Sequence, residues 1–142
     1  MSIEWPVAAE AVNSPERQKS EIVRQFETVF SDLGVAESPR MLEIRTINAE
    51  ALDPVERGTL ESEYRILVRR QVVDAPREKQ SDLAVGVNMA CAAVLFEYGE
   101  YDRVIADLKE NLEQAEFDLD IADNTVERIE DLIGVVSDFM QG

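Results

Sequence analysis

The stretch from Leu83 to Phe96 most narrows what this chain can fold into. Val85, Val87, Met89, Ala90, Val94, Leu95 and Phe96 leave almost no polar side to a helix drawn through it. At about fourteen residues it falls short of the roughly twenty that a bilayer span requires. A helix apolar all round must then be covered by protein on every side, which sets the segment 77–98 at the centre of a helical bundle. The small residues Ala84, Gly86, Ala90, Ala92 and Ala93 would let its neighbours approach closely. Those neighbours must come from the rest of the 142 residues, a length that suits one core and is too short for two.

Punctuation along the chain supplies the neighbours. Ser14-Pro15 reads as an N-cap followed by proline at the first helical position, and Gly34 reads as the C′ residue that closes the same helix. Ile22, Val23, Phe26, Val29, Phe30 and Leu33 form its inward stripe. Asp53-Pro54-Val55-Glu56 has the composition of a capping box and opens a helix to about Val73, with Leu60, Tyr64, Leu67, Val68 and Val72 inward. Asp74-Ala75-Pro76 breaks the pattern, Gly99 ends the central helix, and Asn124-Thr125-Val126-Glu127 is a second capping-box candidate. The expected architecture is all-α: one bundle of five or six helices, at about 15–33, 54–73, 77–98, 101–121 and 125–140. Residues 1–13 are an N-terminal arm and 14–142 a single domain. In residues 35–52, Met41 to Ile47 reads as a strand alternating two faces or as a helix begun by Ser38-Pro39. Helix or irregular structure is favoured, because a lone strand leaves its backbone groups unpaired.

The hairpin made by Leu83 to Ala115 has a small residue at Ala92, Gly99-Glu100-Tyr101-Asp102 at its turn, and Ile105 and Leu108 on its second helix. In this it resembles a tetratricopeptide-type helical hairpin, over that one hairpin only. The resemblance implies a scaffold that binds peptides or partner proteins through the face of its first helix. The family pattern would place an aromatic residue at Leu95, alanine at Val104 and Asn111, and a proline after the second helix. Of the residues that clamp a carboxylate in some such proteins, Asn88 alone has a counterpart, and no specific ligand carries over.

Composition removes several kinds of chemistry. The chain has no histidine, so histidine-based triads, zinc sites and di-iron sites are excluded. The six glycines are scattered singly and build no phosphate-binding loop. Asp118 to Asp123 is not an EF-hand, because Ala122 stands where a ligand is needed and Asp123 where glycine is needed. The single Cys91 sits in an apolar run and reads as a buried, inert thiol. The acid pairs Glu97/Glu100, Glu110/Glu113, Glu113/Glu116 and Glu127/Glu130 share helix faces, but they fall on the polar side of each pattern and read as solvated surface. No catalytic, cofactor or metal site is expected. The first residues lack the basic and apolar regions of a signal peptide, so the expected compartment is the cytoplasm.

Thirty acidic against 14 basic side chains give a formal charge of −16, which argues against direct binding of nucleic acid or an anionic membrane. The distribution says more than the total. Residues 97–142 hold 14 acids against Arg103, Lys109 and Arg128, a net charge of −11, whereas Arg57, Arg65, Arg69, Arg70, Arg77 and Lys79 gather positive charge in mid-chain. The last two helices should therefore present an acidic surface. The expected function is that of a non-catalytic protein–protein interaction module, an adaptor, chaperone or regulatory subunit with a basic protein partner. The alternative is an inhibitor that mimics the phosphate row of nucleic acid, since carboxylates three or four residues apart lie about 5–6 Å from one another. The expected contact residues are Glu110, Glu113, Asp120, Asp123 and Glu127. Trp5 either packs onto the bundle or anchors a partner, and a homodimer sharing a bundle helix or the Trp5 arm is the expected assembly.

Overall fold

A computed structural model describes residues 14–118, 120–122 and 124–142. Its helices are α1 (Pro15–Asp32), α2 (Pro39–Thr46), α3 (Pro54–Asp74), α4 (Gln80–Glu97), α5 (Tyr101–Phe117) and α6 (Thr125–Gln141), with single 3₁₀ turns at Ala49–Ala51 and Arg77–Lys79. No strand occurs among the described residues, so the fold is all-α. Expectations about Trp5, the arm 1–13 and Asp123 lie outside the described residues.

Local chemistry sets most helix ends. Ser14 and Ser38 accept hydrogen bonds from the N–H groups of Arg17 and Met41, each with proline at the start of the helix. The second of these resolves the segment 35–52: Met41 to Thr46 is helical, and Met41, Ile44 and Arg45 are buried. Asp53 and Glu56 form the capping box reciprocally, at 2.8 and 3.1 Å. Gly34 (φ 102°) and Gly99 (φ 80°) take left-handed backbone after α1 and α4. At each, the next residue's N–H bonds back to the last helical turn, Val35 to the Phe30 carbonyl and Glu100 to that of Leu95.

Two ends differ from the sequence expectation. α5 stops at Phe117 rather than near residue 121. The Asp118 side chain accepts a hydrogen bond from the Asp120 N–H at 2.9 Å, an Asx turn that competes with helix, and acids at a helix C-terminus oppose the macrodipole. The capping box at Asn124 does not form, because Asn124 is left-handed (φ 66°) and its side chain makes no capping bond; a capping side chain acts from extended backbone. The inward face of α6 centres on Ile129, Leu132 and Val136, and Met140 near its end is 41 % exposed.

α4 is the hub of the bundle, packed against α1, α3 and α5 and, at one end, α2. From Leu83 to Phe96 every residue but Ala84 and Asn88 is buried. Gly86 is the point of closest approach to the end of α1: a Cβ placed there would lie 2.9 Å from both Leu33 Cβ and Val35 Cγ2. Phe26, Phe96, Tyr101 and Phe139 join α1, α4, α5 and α6 through ring centroids 5.3–5.9 Å apart. The contact between Tyr101, at the start of α5, and Phe139, near the end of α6, makes these two helices antiparallel. The C-terminal half of α5 therefore lies beside the first turns of α6.

Candidate functional site

On α5, Tyr101, Val104, Leu108, Leu112 and Ala115 face the bundle, which turns Glu110, Glu113 and Glu116 to solvent. On α6, Ile129, Leu132 and Val136 are buried and Glu127, Glu130 and Asp131 are exposed. Asp120 lies in the turn between them, exposed, with its backbone held by Asp118. Of the five acids expected to meet a partner, Glu110 and Glu113 thus share adjacent turns of α5, Asp120 and Glu127 sit at the turn and the start of α6, and Asp123 is not described.

Two of the three cations of this region are turned to other partners, while the third, Lys109, is exposed on α5 one turn before Glu113 and makes no ion pair among the described residues. Arg103 binds Glu61 at 2.8 Å and Glu100 at 2.6 Å, and Arg128 binds Asp32 of α1 at 2.8 Å. Glu110, Glu113, Glu116, Glu127 and Glu130 make no ion pair among the described residues. Within this acidic surface Phe117, at the last turn of α5, is 87 % exposed. It is a large apolar residue that sequence reading passed over, because it stands outside the inward stripe.

The inner flank of α5 meets α3 across a cleft of about 140 Å³ floored by α4. Arg65 and Arg69 of α3 face Asp107, Glu110 and Gln114 of α5 there, and Asn88, Cys91 and Asn111 form the floor. Asn88 Nδ2 donates to Asn111 Oδ1 (3.0 Å) and Gln114 Oε1 (3.4 Å), and Asn111 Nδ2 donates to the Val85 carbonyl (3.3 Å). Asn88, the counterpart of a clamp residue, is therefore bound to its own bundle. Burial pushes the Cys91 thiol up from its usual range, so the thiolate that a nucleophile would need is disfavoured. Among the described residues no buried side-chain nitrogen or oxygen lacks a partner, and no group of three or more cysteine or acidic residues is placed to hold a metal ion. No described helix is long and apolar enough to cross a membrane.

A second charged cluster was not anticipated. Arg45 is only 1 % exposed, and its guanidinium meets Glu37 at 2.7 Å, Glu27 at 2.5 Å and Glu97 at 3.6 Å. Tyr64 donates to Glu37 at 2.8 Å, and the Phe30 ring lies 5.8 Å from the guanidinium carbon. The cluster ties α2 to α1, α3, α4 and the α1–α2 loop. Desolvation raises the Glu97 carboxyl above its usual range, with Arg45 and Lys19 pulling it back and Glu27 and Glu37 adding to the rise. Arg45 belongs to the segment that reads as a strand or, as favoured, as helix or irregular structure, and only the helical register sets it one turn beyond Met41, beside Ile44.

No protein-family model matches the chain, and neither the curated proteins nor the solved structures give a significant match.

Proposed function

We propose that this chain is a non-catalytic protein-interaction module, an adaptor, chaperone or regulatory subunit, working through the acidic outer side of α5 and α6. The observation that carries the reading is the excess of unpaired acid. Arg103 and Arg128 are bound to Glu61, Glu100 and Asp32, and Lys109 is the one cation left on the face, so Glu110, Glu113 and Glu127, which make no ion pair among the described residues, outnumber it and remain available to a basic partner. Such a surface raises association rate and selectivity through long-range attraction, while affinity comes from apolar contact. Phe117 is the apolar group nearest to hand, and an exposed aromatic favours a protein with a receiving pocket over pure phosphate mimicry. A reduced cytoplasm is the compartment in which an unpaired Cys91 is ordinary.

The test is affinity capture from host extract with the wild-type chain and with E110K/E113K/E127K, a change of exposed groups that leaves the core alone. Proteins retained by the wild type and lost by the variant and in high salt support the reading. Capture that is equal for both chains overturns it. A captured protein that DNA or RNA displaces from the wild-type chain would replace the adaptor reading with nucleic-acid mimicry.

A further inference from the structure

The positive charge gathered in mid-chain has a structural counterpart that the acidic surface does not use. Among the described residues the outer side of α3 is an unpartnered helix face: Val55, Ile66 and Val73 are 77 %, 57 % and 79 % exposed. Arg70 is on the same exposed side and Arg69 is at the lip of the cleft across from Glu110, and neither makes an ion pair among the described residues. Apolar residues thus stand on opposite sides of α3, since Tyr64 and Val68 on its inner side are fully buried. A helix covered on one side only would ordinarily be polar on the other.

The outer side of α5 complements it. Glu110, at the opposite lip of the cleft, and Glu113 are exposed and make no ion pair among the described residues, and Phe117 lies one turn beyond Glu113. The ion pairs Arg103–Glu61 and Arg65–Asp107 fix how the two helices sit in one molecule. In each pair the α5 residue is 42 positions beyond its α3 partner (103 − 61 and 107 − 65), so the helices run parallel, one on each side of the cleft. On that offset, Arg69, Arg70 and Val73 stand at the height of residues 111 to 115, level with Glu110, Glu113 and Phe117. One rim is basic and aliphatic, and the other is acidic and aromatic.

We infer that the occupant of these rims is a second copy of the chain, related by a two-fold axis parallel to α3 and α5. Such an axis sets each α3 rim against the partner's α5 rim without changing height, so both complementary contacts form at once, as an isologous interface requires. The inference rests on the reading of α5 as an interaction surface and names the partner of that part of it, leaving the α6 side open. Two chains of net charge −16 repel at long range, but at physiological ionic strength screening over about 8 Å removes most of that repulsion while rim-to-rim pairs persist.

Sedimentation velocity of the purified full-length chain, from micromolar to near-millimolar concentration in physiological salt, tests this. The expected result is a concentration-dependent species of twice the 16.0 kDa chain mass. R69E/R70E and E110K/E113K each weaken it by about tenfold or more, with circular dichroism showing both folded. Mixing the two variants restores a dimer, because each reversed rim then meets its complement. A chain that stays monomeric throughout overturns the inference, as does a dimer indifferent to both reversals or variants that fail to rescue one another. Capture of a basic protein by a chain shown here to be monomeric would defeat the dimer alone and leave the proposed function standing.

Discussion

Arg45 is a buried cation facing three carboxylates from three parts of the chain, and its removal would leave them against one another without the guanidinium that pairs with all three. Breaking a buried pair from one side costs about 3–5 kcal/mol, far more than an exposed pair contributes. R45M should therefore lower unfolding free energy by about that amount in denaturant titration, whereas R17M, whose partner Glu21 is exposed, should change it by under about 1 kcal/mol. Glu97 gives the cluster a pH signature. Its folded carboxyl is raised by desolvation, so as pH falls from neutral through that raised value toward 4.5 the native state takes up a proton before the unfolded state does. Stability held by this group is present in acid and lost as pH rises through the folded value. E97Q should flatten the rise in melting temperature on mild acidification, and a variant that keeps the full wild-type rise would contradict the assignment.

At the scale of the element, the caps were legible because they are local. Ser14, Ser38, Asp53, Gly34 and Gly99 each act within a few residues, and the sequence spacing alone identifies them. The central placement of α4 was legible for the same reason, since an apolar helix surface has one solution in water. What escaped depended on distant partners. The Arg45 cluster needs Glu37 from a loop and Glu97 from α4, and the buried Asn111 needs Asn88 and the Val85 carbonyl to satisfy it. The Asn124 box failed because its spacing is right while its backbone is left-handed. Two glycines test the packing directly. In G86A the new Cβ meets Leu33 and Val35 at 2.9 Å, which should cost about 1–3 kcal/mol by overpacking. In G134A nothing lies within 4 Å, so the exposed interior of α6 should gain about 0.5–1 kcal/mol. Thermal melts of the two variants should move in opposite directions.

For the whole molecule, charge divides into a basic rim on α3 and an acidic surface on α5 and α6, and the proposed function rests on that division. The acidic residues of that surface were legible as a count along the chain. Their availability was not, because it depends on where Arg103 and Arg128 point. Of the acids singled out, Glu110, Glu113, Asp120 and Glu127 are exposed on this surface. Phe117 joins them because α5 stops where its own helix period leaves that ring outside. The most direct measurement is a calorimetric titration of the strongest captured partner with the wild-type chain and with E110K/E113K/E127K, each at low and physiological salt. The account predicts affinity about tenfold or more lower for the variant and a much shallower salt dependence. Equal affinities with equal salt dependence would contradict it.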